Sequence, residues 1–149
     1  MVHLNLTAIA AAAALLNILD FQNSAVTNSL GLALNNNPVI GNTRGSPQWT
    51  FVTTATPGVF TIQSTAGLFL SYPAAPNDGL TFGQAVLNKF PLSFNVQSVN
   101  PAANTVKIVE NTFKVVLTSW PAEAGSTNSP LTFEVDTNRP QQIFTLAST

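Results

Sequence analysis

The sequence predicts an all-β domain made of three similar units, and three observations support this prediction. Short apolar runs of about four to six residues alternate with clusters of Gly, Pro, Asn and Asp that are typical of turns. Within the runs, apolar residues occupy every second position, which places one face of a strand on a core. The whole pattern returns at intervals of roughly 45 residues. A chain of 149 residues suits a single domain with one core.

The turn clusters and the strands between them can be assigned in order along the chain. The turn clusters are "NNNP" (35–38), "GNTRGSP" (41–47), "TPG" (56–58), "PNDG" (76–79), "NPAAN" (100–104), "AGSTNSP" (124–130) and "TNRP" (137–140). The alternating apolar pairs that predict core-facing strand positions are Phe60 and Ile62, Phe94 and Val96, Val106 and Ile108, Phe133 and Val135, and Phe144 and Leu146. Each pair predicts a half-buried strand.

The repeated pattern divides the chain into units of about 15–54, 55–100 and 101–149. The residues that begin equivalent first strands are Phe21, Ile62 and Ile108, and those that begin equivalent last strands are Trp49, Phe94 and Phe144. A second strand follows the first in "LGLAL" (30–34), "GLFLSY" (67–72) and "FKVVLTSW" (113–120), and a third in "GLTFGQ" (79–84) and "PLTFEV" (130–135). Three units of about four strands predict a closed, threefold pseudosymmetric barrel, the β-trefoil, over residues 15–149.

Residues 1–14 form a separate apolar segment. The apolar run "LNLTAIAAAAALLNIL" (4–19) begins within this segment and continues into the predicted domain. This run is similar to the apolar core of a secretory signal peptide, and it is too short to span a membrane. Two interpretations stay open, a signal-peptide remnant and an alanine-rich helix or arm that packs on the domain. The first predicts a secreted protein.

The amino-acid composition excludes some classes of function and disfavours others. Charged residues make up 7% of the chain and the net charge is −1, so we expect neither nucleic acid nor an anionic membrane as partner. The chain has no cysteine, and its one histidine is His3. Thiol chemistry, disulfides and thiolate zinc sites are thereby excluded, and histidine-based catalysis is disfavoured. We therefore predict a non-enzymatic binding protein with no metal, no cofactor and no catalytic residue.

Four segments carry a resemblance to a known family. They are "PQWTFV" (47–52), "FTIQSTAGLFLSY" (60–72), "TVKIVENTFKVVLTSW" (105–120) and "QQIFTL" (141–146). Over about residues 15–149 the chain resembles the fungal ricin-B-like β-trefoil proteins. The resemblance implies carbohydrate binding, in which an acidic residue soon after the second strand of a unit accepts hydrogen bonds from sugar hydroxyls. A nearby aromatic ring then stacks on the sugar.

The Gln-x-Trp signature that closes each unit in that family is incomplete here, because Gln48 directly precedes Trp49. The residues found two places before the closing aromatics are Pro47, Leu92 and Gln142, so only the third unit keeps the glutamine. We interpret Trp49 and its equivalents as core residues, since they recur at an inward-facing position.

The family's sugar site suggests candidate residues at the end of each second strand. Its acidic position is held here by Asn35, Ser71 and either Thr118 or Ser119. Tyr72 and Trp120 each precede a proline and are followed by a carboxylate, Asp78 or Glu123. Because proline ends a strand, these rings are expected where a strand leaves the barrel, either exposed as stacking platforms or closing the barrel end. The predicted carbohydrate-binding or partner-binding residues are Asn35, Ser71, Tyr72, Asp78, Trp120 and Glu123.

Two other functions remain open at this stage. The resemblance includes trefoil inhibitors of proteases, and Arg44 in the loop 41–47 would suit a trypsin-like pocket. Chains of this type are also similar to the small accessory subunits of secreted fungal oxidases such as laccases. The low charge favours such an interface, because charged residues are depleted from interface cores. The predicted partner is thus a glycan or a larger secreted protein.

Overall fold

A computed structural model describes residues 14–29, 32–43, 47–72 and 82–148 of the chain. In these residues the structure is almost entirely β, as the sequence predicts. The strands are β1 (Ala14–Leu19), β2 (Ala25–Asn28), β3 (Val39–Asn42), β4 (Trp49–Thr53), β5 (Val59–Ser64), β6 (Phe69–Ser71), β7 (Phe82–Gln84), β8 (Val86–Asn88), β9 (Phe94–Asn100), β10 (Thr105–Glu110), β11 (Val116–Ser119), β12 (Asn128–Glu134) and β13 (Phe144–Ser148).

Six of these strands close a barrel. Antiparallel pairing runs from β1 to β4, β5, β9, β10 and β13, and β13 pairs with β1 again. The remaining strands pair as β2 with β3, β6 with β8, and β11 with β12, and β12 also pairs with β3 and β7. A closed barrel joined to three interconnected hairpins is the β-trefoil arrangement, so the predicted fold is confirmed.

Strand register identifies the equivalent positions in the three repeats. The register partners are Ile18 with Leu146, Ile62 with Phe51, and Ile108 with Val96. All three isoleucines are fully buried. The first unit therefore starts its pattern at Ile18, and the predicted start at Phe21 is wrong. Phe21 lies in the turn after β1 and is 39% exposed; the continuous apolar run before it hides the alternation that would have identified Ile18.

The aromatic residues that begin the last strands are core residues, as predicted. Trp49 of β4, Phe94 of β9 and Phe144 of β13 are all buried. They lie opposite equivalent residues of the first strands in the pairs Leu16 with Trp49, Phe60 with Phe94, and Val106 with Phe144. The Trp49 Nε1–H also donates to the Val26 carbonyl at 2.8 Å. Burying a ring of this kind stabilises the fold by about 2–3 kcal/mol.

Two predicted strand assignments are wrong. The second strand of the first unit is β2 rather than residues 30–34, because Leu32 and Leu34 are exposed in a loop. Hydrogen bonds from Leu32 N–H to the Ser29 carbonyl and from Asn37 N–H to the Leu34 carbonyl turn the chain there. In the third unit β12 ends at Glu134, so Val135 is 54% exposed instead of facing the core.

The alanine-rich run already contributes to the barrel. Ala14 belongs to β1 and pairs with Phe51 of β4. Residues 1–13 lie outside the described part of the chain, so the two interpretations of that segment stay predictions. Among the described residues, no helix has the length and apolar character needed to cross a membrane.

Candidate functional site

A cavity of about 280 Å³ lies in the third repeat. It is lined by Thr118, Trp120, Glu134, Val135, Thr137, Arg139, Gln141 and Gln142. The lining combines the ends of β11 and β12 with the loop that leads to a 3₁₀ turn at Pro140–Gln142, just before β13. One repeat alone therefore builds the cavity.

Trp120 supplies an accessible aromatic surface that is held in place. The residue is 39% exposed and directly follows β11. Its indole Nε1–H donates to Thr132 Oγ1 at 2.8 Å, and its backbone N–H donates to the Pro130 carbonyl at 2.9 Å. The exposed side chain of Val135 lines the same cavity. The result is a fixed apolar platform beside polar groups.

Gln142 organises the floor of the cavity. Its side chain is buried, and its Nε2 donates to Thr118 Oγ1 at 3.3 Å and to the Val135 carbonyl at 2.9 Å. Its Oε1 accepts from the backbone N–H groups of Thr137 at 2.9 Å and Asn138 at 3.1 Å. One amide thus ties the end of β11 to the loop 135–138. The sequence singled out Gln142 by its spacing but did not assign it this role.

Three polar groups of the lining are unpaired. In the described part of the chain, the side chains of Glu134 and Arg139 make neither a hydrogen bond nor an ion pair. Gln141 Oε1 is enclosed and accepts no hydrogen bond. Sequence reasoning did not select any of these three residues as part of a site, because they come together only through the β12-to-β13 loop.

The neighbouring charges neutralise each other. Lys107 Nζ forms an ion pair with Asp136 Oδ2 at 3.1 Å and donates to Asn138 Oδ1 at 2.9 Å. The Asn138 N–H and then Lys107 hold the pKa of Asp136 below its usual value. Glu134 and Arg139 therefore remain as the two uncompensated charges of the cavity.

Tyr72 does not present the exposed ring considered for a stacking platform. The residue is only 7% exposed, and its ring packs edge-on against Phe133 with centroids 5.6 Å apart. Burial, the charge of Glu110 and a hydrogen bond to that carboxylate raise the pKa of the Tyr72 hydroxyl far above its usual value. A ring enclosed in this way has no free face for a ligand.

The register explains why Tyr72 and Trp120 differ. Phe69 pairs with Gln63 and Val116 pairs with Val109, which makes Phe69 and Val116 equivalent. Counting on along both strands, Tyr72 is equivalent to Ser119 and precedes the position of Trp120 by one residue. Successive side chains of a strand point to opposite faces, so one ring is buried and the other is exposed.

Side-chain contacts support this equivalence. Ser119 Oγ donates to Asp20 Oδ2 of the first repeat at 2.6 Å. The Tyr72 hydroxyl of the second repeat lies near the Glu110 carboxylate of the third, and this carboxylate helps to raise its pKa. Asp20 and Glu110 are equivalent residues, each two places after a paired isoleucine of β1 or β10. Ser119 and Tyr72 thus tie neighbouring repeats together from the same position.

The other predicted residues do not converge on this cavity. Ser71 is buried and donates to the Tyr72 carbonyl at 3.3 Å. Asn35 is exposed, and its Oδ1 accepts from the Lys89 N–H at 3.0 Å. Asp78 and Arg44 lie outside the described residues. Trp120 is the member of the predicted set that lines the third-repeat cavity. Thr118, one of the two residues considered for the acidic position that the resemblance implies, also lines it.

Glu123 lines a different cavity, of about 380 Å³. The other lining residues are Ser29, Pro38, Ile40, Gln84, Ser126, Asn128, Ser129 and Pro130. Pro38, Gln84 and Pro130 are equivalent residues of the three repeats, so this cavity lies at the pseudo-threefold axis. Several polar atoms there are already committed, as Gln84 Nε2 is to the Leu131 carbonyl at 3.0 Å. The third-repeat cavity is the better candidate because it places the fixed, exposed ring of Trp120 beside unpaired charges.

Comparison with known proteins identifies the fold. No family model and no curated protein matches the sequence. The structure is similar to the Rhizoctonia solani agglutinin (TM-score 0.79, 10% identity, 92% of this chain and 96% of that chain). It is also similar to the Macrolepiota procera ricin B-like lectin in complex with lactose (0.74, 17%, 93% and 97%). The designed threefold symmetric protein ThreeFoil matches as well (0.78, 11%, 91% and 99%). At such identities the comparisons define a β-trefoil fold.

Proposed function

We propose that this chain is a non-catalytic carbohydrate-binding domain whose site is the cavity of the third repeat. The observation that carries the proposal is Trp120, an exposed indole fixed by a hydrogen bond beside unpaired polar groups. A pyranose ring has an apolar face that stacks on an aromatic ring, and its hydroxyls need nearby donors and acceptors. The cavity offers both.

The polar groups suit a sugar. The Glu134 carboxylate lines the cavity and has acceptor capacity for two adjacent hydroxyls. Glu134 belongs to β12, the third strand of the repeat, whereas the family resemblance implied an acid soon after the second strand. A volume of about 280 Å³ is near the lower end of the range for ligand sites and suits a single sugar residue.

Two of the similar structures support the proposal through their names, one being an agglutinin and one a lectin bound to lactose. Fold likeness alone does not transfer a ligand. The cavity of this chain itself has a chemistry that favours binding over catalysis. Its lining contains one carboxylate, Glu134, and no histidine.

A glycan array followed by calorimetric titration of the best ligand tests this proposal. We expect wild type to bind at least one glycan and Trp120→Ala to lose that binding by tenfold or more, as is ordinary for removal of an aromatic anchor (roughly 1.4 kcal/mol or more). Phe113→Ala is the matched control, because Phe113 is an exposed aromatic outside the cavity. Circular dichroism checks that both variants keep the fold. Binding that survives Trp120→Ala unchanged, or an array without any bound glycan, would overturn the proposal.

A further inference from the structure

We infer that the saccharide recognised by this cavity carries a carboxylate, which Arg139 binds. This inference rests on the proposed function and specifies its ligand class. It starts from the two unpaired charges of the lining, the acceptor Glu134 and the cationic donor Arg139. The hydroxyls of any sugar ring satisfy the Glu134 carboxylate. An anionic group is what matches the guanidinium.

Arg139 has no counterion although carboxylates lie close to it in the sequence. Asp136 is bound by Lys107 and by the Asn138 N–H. Glu134 lines the same cavity as Arg139, yet no ion pair joins them in the described part of the chain. Lys107 is committed to Asp136 and Asn138, so Arg139 is the available cation of the cavity.

The backbone holds Arg139 at a defined place. The residue is extended, with φ −100° and ψ 158°, and immediately precedes Pro140 of the 3₁₀ turn. Its carbonyl accepts from the Gln142 N–H at 3.0 Å, and Gln142 is the residue that forms the cavity floor. The backbone of Arg139 is thus fixed beside the cavity floor. Its side chain is exposed and lines the cavity, so the guanidinium is accessible to a ligand there.

A carboxylate fits Arg139 better than a neutral hydroxyl does. The planar fork of arginine binds the two oxygens of a carboxylate in parallel, and such charge-assisted bonds are about twice as strong as neutral ones. Glu134 of the same lining is the acceptor for neighbouring hydroxyls, so a sugar that carries a carboxylate matches both charges of the cavity. Uronic acids and sialic acids share the required chemistry.

Calorimetric titration with matched pairs of sugars tests the inference. The pairs are methyl β-D-glucuronide with methyl β-D-glucoside, methyl α-D-galacturonide with methyl α-D-galactoside, and the methyl glycoside of N-acetylneuraminic acid with its methyl ester. At low ionic strength we expect the acid of at least one pair to bind about tenfold more tightly than its neutral partner, with the preference reduced by added salt. The binding pair identifies a uronic or a sialic acid as the source.

Arg139→Gln should abolish the preference for the acid while the neutral sugar still binds. Lys114→Gln is the matched control, since Lys114 is an exposed cation outside the cavity. Equal affinities within every pair, combined with binding that depends on Trp120, would overturn the acidic ligand and leave carbohydrate binding standing. Absence of binding by all six sugars and by the glycan array would overturn both proposals.

Discussion

Tyr72 and Trp120 have similar sequence contexts, but one ring is buried and the other is partly exposed. Each follows the second strand of its repeat and each precedes a proline. Tyr72 lies in the core, in contact with Phe133, and joins the second repeat to Glu110 of the third. Trp120 lies on the surface and lines a cavity. The two proline-flanked aromatics are therefore not equivalent residues.

This difference shows that strand register, and not residue type, determines which of the two side chains is exposed to solvent. One residue of offset along a strand exchanges the inner and the outer face. In the second repeat, Tyr72 occupies the position that Ser119 has in the third repeat, and its ring is buried against Phe133. In the third repeat the ring stands one position later and is free to meet a ligand.

Truncating the two rings should separate their roles most clearly. Tyr72→Ala removes a buried ring and its contact with Phe133, so we expect a loss of about 3–5 kcal/mol in the free energy of unfolding. Trp120→Ala removes a partly exposed ring and should cost about 1 kcal/mol or less. Urea denaturation followed by circular dichroism measures both. Similar losses for the two variants would contradict the assignment of one ring to the core and the other to the surface.

Replacing Gln142 by leucine, the residue at the equivalent position of the second repeat, should dismantle the cavity floor. The substitution leaves the Thr137 and Asn138 N–H groups and the Val135 carbonyl without their partner. We expect about 2–3 kcal/mol of destabilisation, since unsatisfied groups each cost on the order of 1 kcal/mol or more. Loss of glycan binding should accompany it. Gln97→Leu serves as control, because Gln97 is an exposed glutamine of β9, and a comparable cost there would count against the role given to Gln142.

The bridge made by Tyr72 should give the protein a distinct alkaline response. Because the pKa of Tyr72 is raised above its ordinary value of 10.0, the unfolded chain loses this proton at a pH where the folded chain keeps it. The contribution of protonated Tyr72 to the free energy of unfolding is complete below about pH 10. It declines, by up to about 1.4 kcal/mol per pH unit, as the pH rises towards the pKa of the folded state.

Absorbance at 295 nm follows this ionisation directly, since the chain contains one tyrosine. Tyr72→Phe removes the ionisable hydroxyl and keeps the ring, so it should lack this part of the alkaline loss of stability. A tyrosine that ionises near pH 10 in the folded protein would show that the ring is not enclosed.

The smallest effect is expected from the ion pair beside the cavity. Asp136→Asn removes the pairing with Lys107 at a largely exposed position, so unfolding free energy should change by about 0.5 kcal/mol or less at neutral pH. The pKa of Asp136 is lowered in the folded state, and its small contribution is therefore present above the usual aspartate pKa and lost as the pH falls through the folded value. Thermal denaturation at pH 7 and pH 2.5 measures it, and a loss of 2 kcal/mol would reveal a larger structural role.

Much of the fold follows from the sequence, because buried strands impose a period of two that is visible in the residues themselves. Trp49, Phe94 and Phe144 were identified as core in this way. The alternation fails to show where an apolar run is continuous, as around Ile18, or where it persists beyond the strand, as at Val135. Local pattern contains no information on register at those points.

The candidate site was less predictable. Trp120 was found because proline marks the end of a strand, and Gln142 because its spacing matched a known signature. Glu134 and Arg139 belong to different segments, and only the path of the β12-to-β13 loop brings both to one cavity. Charged residues that are brought together only by the path of a loop do not form a recognisable motif in the sequence.

The exposed indole and the buried glutamine of the third repeat also determine valency. The residues at the position of Trp120 in the other repeats are Ser29 and Pro73, and those at the position of Gln142 are Pro47 and Leu92. The pair therefore occurs once among the three equivalent places. The proposed carbohydrate site is thus present at one of these three equivalent places, so cross-linking two glycan-bearing surfaces through it would require two chains.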